Sequence, residues 1–135
     1  MLRAALLAIL LGGCPSTGAT GAECQDDRTC NGDICTRDGQ CTPPSEVRSV
    51  KITWTVNGGP ASATSCATTP NLTVYVDGNT ALDRIGFEPV PCDQGVFNFD
   101  KLPTRYAIAE LAIQGGVGAR RAIDSANAAH FDIVP

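Results

Sequence analysis

Apolar and polar residues alternate with a period of two along most of the chain beyond residue 49. In VKITWTV (50–56) every second residue from Val50 to Val56 is apolar and the residues between are polar. This pattern predicts a strand with one buried face. Similar strands are predicted in LTVYV (72–76), ALDRIGFEPV (81–90), GVFNF (95–99), YAIAELAI (106–113), ARRAI (119–123) and HFDIV (130–134).

Several segments carry further information about these strands. Pro89 within 81–90 favours an edge position, because proline cannot donate to a sheet ladder. The 106–113 segment also fits a helical stripe, but its alternation and the following Gly115-Gly116 favour a strand. On 95–99 we expect Val96 and either Phe97 or Phe99 to point inward.

Turn residues separate these segments, as in Asn57-Gly58-Gly59-Pro60 and Asp77-Gly78-Asn79. Short strands with turns between them predict an all-β fold, a single small antiparallel β-sandwich over residues 49–135. Trp54 lies on the apolar face of its strand, so it is expected to anchor the core.

The first residues have the pattern of an export signal. Arg3 supplies a positive start, and the apolar stretch that ends at Leu11 is far shorter than the roughly 20 residues of a membrane-spanning helix. The sequence Leu-Gly-Gly-Cys that follows resembles the lipobox of bacterial lipoproteins. The resemblance implies that residues 1–13 are removed and that Cys14 carries a lipid.

Lipidation would place the protein at a membrane without a spanning helix, because the acyl chains of a triacylated cysteine suffice for stable anchoring. In the lipoprotein family an aspartate after the cysteine retains some members at the inner membrane. Pro15 stands there instead, which favours the outer membrane. Residues 14–22 then form a lipidated, flexible linker.

The cysteine count agrees with this interpretation. The chain has seven cysteines, and an odd number is unusual in an exported protein. If Cys14 is lipidated, six remain, which in an oxidising compartment can form three disulfides. Cys66 and Cys92, both within 49–135, are expected to pair with each other.

The other four cysteines lie close together in residues 23–42, here called the cysteine module, with the spacing C-x5-C-x4-C-x5-C. This spacing does not match paired zinc knuckles, and the aspartates do not match a calcium loop. About 20 residues cannot bury enough apolar surface to fold alone, so crosslinks must stabilise them. Four cysteines permit three pairings.

The module resembles small four-cysteine modules, EGF- or Dickkopf-like, near the N-termini of myxobacterial-type surface lipoproteins. In those modules the first cysteine pairs with the third and the second with the fourth. The resemblance therefore implies Cys24–Cys35 and Cys30–Cys41. Pro43-Pro44-Ser45 predicts a stiff linker over residues 43–48.

The stretch FDKLPTRYAIAELAI (99–113) resembles a motif of transthyretin-like, carboxypeptidase-regulatory-like sandwiches, in which a Phe strand leads through Leu-Pro-x-Gly-x-Tyr into the next strand. The matching residues are Phe99, Leu102, Pro103 and Tyr106. The glycine is absent and the loop is one residue shorter. An immunoglobulin-like topology remains an alternative.

Candidate catalytic residues are few. His130 is the single histidine, with Asp124 and Ser125 nearby. A triad needs a base aimed at an activated nucleophile, and no G-x-S-x-G elbow is present. We therefore expect His130 to be an exposed residue of the last strand, and the protein to be no enzyme and to use no cofactor or metal.

The charge excludes one class of partner. Without Arg3 the chain has nine basic and fourteen acidic residues, a formal charge of −5, which opposes nucleic-acid binding. The sequence thus predicts a membrane-anchored envelope lipoprotein that serves as a structural or protein-binding module. Its partner would be an envelope protein or polysaccharide. The alternative is a carbohydrate-binding accessory domain, which would need exposed aromatic rings.

Overall fold

The computed structural model describes residues 23–80, 82–114 and 116–135, and the fold of these residues is all-β. Their strands are β1 (Ile34–Cys35), β2 (Cys41–Thr42), β3 (Val47–Val56), β4 (Gly59–Pro60), β5 (Asn71–Asp77), β6 (Arg84–Pro91), β7 (Val96–Pro103), β8 (Ile108–Ile113), β9 (Ala119–Ala122) and β10 (Ala128–Ile133). Single 3-10 turns occupy Asp27–Cys30, Pro44–Glu46 and Cys92–Gln94. The expected signal peptide and Cys14 lie outside the described residues.

The cysteine module consists of the Asp27–Cys30 turn and the antiparallel β1–β2 hairpin. Two disulfides, Cys24–Cys35 and Cys30–Cys41, connect these pieces. They are the pairs that the resemblance to four-cysteine modules implies. The backbone turns with positive φ at Asn31, Gly32 and Gly39, residue types that tolerate this conformation.

Residues 47–133 form two four-stranded sheets and are here called the two-sheet domain. In sheet 1 the long strand β3 pairs in parallel with β10 on one side, and with β7 and the short β4 on the other. Sheet 2 has the order β6-β5-β8-β9 and is antiparallel throughout. Strand β3 begins at Val47, within the segment predicted as a linker.

The predicted alternation on β3 corresponds to one buried face. Its inward residues Val50, Ile52, Trp54 and Val56 are all at most 3 % exposed. They share one core with residues of sheet 2 such as Leu72 and Val74. The Cys66–Cys92 disulfide belongs to the same core. Burial of both apolar sheet faces against each other is the main stabilising contribution expected for such a fold.

The remaining strands follow the sequence analysis, with differences in detail. The 106–113 segment forms a strand rather than a helix, and β6 is an edge strand of sheet 2. On β7 the fully buried phenylalanine is Phe99, while Val96 and Phe97 are half-buried. Thr73 is buried although it alternates with the core residues Leu72 and Val74, and its hydroxyl donates to the carboxylate of Glu88 at 3.1 Å.

Candidate functional site

The residues that suggest a catalytic triad do not come together. His130 is exposed on β10, and its Nδ1 lies 2.9 Å from the hydroxyl of Thr53 on the neighbouring strand. One oxygen of Asp124 accepts hydrogen bonds from the backbone amides of Ala126 and Ala128, at 2.9 and 2.8 Å. Asp124 therefore stabilises the turn before β10 rather than orienting the imidazole.

The cysteine module places the Sγ atoms of Cys24, Cys30 and Cys41 within 4.8 Å of one another. This proximity arises from disulfide pairing, because each of the three sulfurs is bonded to a second cysteine. A zinc site requires thiolates. In this oxidised form the three sulfurs are not available as ligands.

Neither Trp54 nor Tyr75 offers a free ring face. Trp54 is buried, and its indole N–H donates to the carbonyl of Cys92 at 2.7 Å. Tyr75 lies over Gly86, where an added Cβ would come within 2.7 Å of the ring. The guanidinium of Arg84 covers the ring at 3.8 Å from its centroid, a cation–π contact.

Arg84 belongs to a charged network on the outer face of sheet 2. It contacts Asp77 at 3.0 Å and Glu110 at 3.1 Å, and Arg120 contacts the same two carboxylates at 2.8 and 3.8 Å. Although burial opposes it, the carboxylates of Asp77 and Glu110 raise the pKa of Arg84. The two acids and two arginines balance, so this face presents a closed network rather than a charged patch.

Asp38 connects the cysteine module to the two-sheet domain. Its side chain is 9 % exposed and forms an ion pair with Arg105. It also accepts hydrogen bonds from the Tyr106 hydroxyl at 3.2 Å and from Thr36 at 2.7 Å. Burial, and then the nearby Asp38 charge, raise the pKa of Tyr106. Arg105 and Tyr106 follow β7 directly, so one carboxylate joins two parts that are distant in sequence.

Further contacts surround this junction. Arg37 binds Asp100 through its Nε at 2.8 Å, and its backbone amide donates to the carbonyl of Lys101 at 3.0 Å. The ammonium of Lys101 binds Asp27 at 2.8 Å. Hydrogen bonds from Lys101 and Arg37 lower the pKa of Asp27 and Asp100, respectively. These exposed pairs contribute little individually, but together they fix the orientation of the module.

A polar groove of about 620 Å³ lies where the module meets the two-sheet domain. Arg37, Asp38 and Gln40 line it from the module, and residues 82–86 with Arg105 and Tyr106 line it from the two-sheet domain. Its volume falls in the range of roughly 300–1,000 Å³ of binding clefts. Leu82, 94 % exposed, stands at its rim. This groove is the candidate binding site.

The sequence analysis did not find this junction. Asp38 and Arg105 are 67 positions apart, and nothing in their local sequence connects them. The module is fixed to the two-sheet domain by partly buried polar contacts, in addition to the chain connection over residues 43–48. Among the described residues, the chain has no helix of the length and apolar character needed to cross a membrane.

Comparisons of the chain with models of known protein families, with curated proteins and with solved structures find no match.

Replacing Asp38 by asparagine should loosen the module from the two-sheet domain. The variant keeps the shape but loses the charge that Arg105 faces. We expect a loss of about 1–3 kcal/mol in the opening free energy of the module, because a largely buried charged hydrogen-bond partner disappears. Hydrogen exchange of the amides of residues 36–42 measures this opening, and cleavage at residues 43–46 in limited proteolysis provides a second readout.

Asp33→Asn is the matched control, because Asp33 lies in the same module and bonds through its backbone amide, to the carbonyl of Cys30 at 3.0 Å. It should leave both readouts unchanged. If Asp38→Asn leaves exchange as in the wild type, the junction is not held by Asp38.

Proposed function

We propose that this chain is a non-enzymatic lipoprotein of the bacterial cell envelope that displays a rigid protein-binding module, anchored through a lipid on Cys14. The observation that carries the proposal is the cysteine balance. Of seven cysteines in the chain, six are paired in disulfides. The remaining one is the cysteine of the Leu-Gly-Gly-Cys motif.

Oxidised cysteines also support export. Disulfides persist in the periplasm and at cell surfaces and are rare in reducing compartments. A small module that depends on two disulfides would not hold its structure where thiols stay reduced. This agrees with the positively charged, apolar start of the chain, and the residue after Cys14 favours the outer membrane.

The two-sheet domain is proposed to be a transthyretin-like β-sandwich. An immunoglobulin constant-type sandwich places its first, second, fourth and fifth strands in one sheet. Here, leaving out the two-residue β4, the first, fourth and seventh strands of the domain (β3, β7 and β10) share one sheet, and β5, β6, β8 and β9 share the other. This distribution argues against the immunoglobulin alternative and supports the resemblance found at residues 99–113.

A protein partner fits the groove better than a sugar does. The groove has polar walls and an exposed leucine, Leu82, at its rim, and interfaces combine apolar anchors with a polar surround. Sugar binding would use open aromatic faces. Trp54 is buried and the ring of Tyr75 is covered by Arg84, so the carbohydrate-binding alternative has less support.

Replacing Cys14 by serine should release the protein from membranes or block its processing, because serine cannot form the thioether to diacylglycerol. In cells fed a labelled palmitate, the wild type should be labelled and sediment with the outer-membrane fraction. The variant should be unlabelled. Ser16→Ala, two residues further on, should behave as the wild type. An unlabelled wild type in the soluble fraction would refute the anchor.

A further inference from the structure

Strand β10 leaves one of its two edges open. It pairs as a strand only with β3; on its other side, among the described residues, Ala128 alone is bonded, through its N–H and C=O to Asp124. Along β10 the carbonyls that bind β3 belong to odd-numbered residues, as in the bonds from Lys51 N–H to Asn127 and from Asn57 N–H to Ile133. Backbone groups of alternate residues point to opposite edges of a strand, so those of His130 and Asp132 face the open edge.

The side chains of His130 and Asp132 are exposed on the outer face of sheet 1 and are held in place. His130 Nδ1 contacts Thr53, while Asp132 Oδ1 accepts from the Thr55 hydroxyl at 2.7 Å and from Gly58 N–H at 2.8 Å. These bonds lower the pKa of Asp132. Among the described residues, His130 Nε2 and Asp132 Oδ2 have no hydrogen-bond partner.

At His130 and Asp132 the edge also lacks several of the features that usually prevent pairing. Natural edge strands are protected by proline, lysine, bulges or covering segments. Strand β10 has neither proline nor lysine, and its register with β3 is continuous. Beside it, between the two sheets, lies a pocket of about 150 Å³ whose lining side chains are mostly apolar and include Phe131 and Ile133. The exposed Val117 and Val134 also line this pocket. Its volume is too small for a typical small-molecule ligand.

We propose that two copies of this chain associate through their β10 edges, which pair antiparallel about a two-fold axis at Phe131. The N–H and C=O groups that face the open edge belong to even-numbered residues. In the antiparallel pair, each hydrogen-bonded position therefore joins an even-numbered residue of one copy to an even-numbered residue of the other. A centre at Phe131 places His130 opposite Asp132 of the second copy, twice. If the two-fold axis passed through residue 130 or 132 instead, His130 or Asp132 would lie opposite the same residue of the second copy.

This complementarity is the reason to assign a second copy rather than an unrelated peptide. An imidazole N–H opposite a carboxylate can donate a hydrogen bond to it, whereas two carboxylates directly opposite each other repel and destabilise the pair. A two-fold interface requires a surface that is complementary to itself. The sequence His-Phe-Asp has this property on an edge, because its basic and acidic side chains flank the symmetry centre on the same face.

The test is sedimentation of the purified full chain in a mild detergent over a range of concentrations. The wild type should show a reversible dimer. His130→Asp should weaken dimerisation at least about tenfold, since it places carboxylates opposite each other. The exchanged variant His130→Asp/Asp132→His should recover most of the wild-type affinity. Lys51→Glu changes a charge on the same sheet face but away from the edge, and it should dimerise as the wild type does.

Amide exchange of the wild type gives a second measurement that needs no variant. The amides of His130 and Asp132 should become protected as the concentration rises. The amide of Phe131, which faces β3, should be protected at every concentration. A monomer at all concentrations, a dimer insensitive to His130→Asp, or unprotected His130 and Asp132 amides would each overturn the proposal.

Discussion

Replacing Trp54 by alanine is expected to lower the free energy of unfolding by about 3–5 kcal/mol, the usual range for emptying a large aromatic site. The side chain is 3 % exposed in the core shared by both sheets. An aromatic residue of this size removes roughly 150–250 Å² from water on folding. The variant also loses the indole bond and leaves the carbonyl of Cys92 without that donor. Circular dichroism during denaturant unfolding measures the loss.

The matched control is Lys51→Ala, an exposed position on the same strand. It should change the stability by no more than about 0.5 kcal/mol, as is usual for surface sites. Trp54 is the single tryptophan, so wild-type fluorescence reports its environment directly. A blue-shifted emission protected from acrylamide is expected. A red-shifted, quenchable emission would place the ring on the surface and revive the carbohydrate-binding alternative.

The strands were predictable because burial of one sheet face imposes a period of two on the sequence. The period is clearest on β3, where Val50 to Val56 alternate without exception. It is weaker on β8, where the inward residues are Ala109 and Leu111, while Ala112 is also buried on the other face. Both faces of sheet 2 are partly covered, so apolar and polar residues alternate less regularly in its strands than they do on β3.

The candidate sites depend on pairings that no local pattern reveals. The junction requires Asp38 to meet Arg105 and Tyr106, and this follows only from the docking of the module. The open edge arises because β10 pairs with β3 on one side only and ends sheet 1. The sequence predicts an ordinary strand over residues 130–134, close to the observed β10, and whether that strand is internal or at an edge is decided by topology.

The groove at the junction and the open edge of β10 are two separate candidate interaction surfaces. The groove is lined by the module and by β6 residues at one edge of sheet 2, whereas β10 is an edge of sheet 1. No residue of the described part of the chain lines both the groove and the pocket beside β10. A dimer formed through β10 would therefore present two grooves, and a partner carrying two matching sites would gain avidity from the pair.

Replacing Cys66 and Cys92 together by alanine is expected to cost about 3.5 kcal/mol. The disulfide closes a loop with a sequence separation of 26, and in the chain-entropy model a crosslink of this span restricts the unfolded state by that amount. Both residues are buried in the core, at 3 and 1 % exposure, so their removal also creates space there. Denaturant unfolding followed by Trp54 fluorescence measures the change.

Cys24→Ala/Cys35→Ala is the control, because it removes a disulfide from the cysteine module and leaves the two-sheet domain intact. It should change the free energy of unfolding of the two-sheet domain, followed by Trp54 fluorescence, by less than about 1 kcal/mol, since local units open separately. A loss of less than about 1 kcal/mol for the Cys66/Cys92 variant would contradict the stabilising role of this crosslink.

Combining the Cys66/Cys92 change with Trp54→Ala should prevent folding at ordinary temperature, because the two losses together rival the 5–15 kcal/mol stability of a typical domain.

The Trp54 site and the Cys66–Cys92 site should also be energetically coupled. The indole donates to the backbone of Cys92 itself, and residues in direct contact show interaction energies of about 0.5–3 kcal/mol. A double-mutant cycle with Trp54→Phe, which keeps a ring but removes the donor, isolates this term. Strict additivity in that cycle would mean that the disulfide does not position the carbonyl that Trp54 binds.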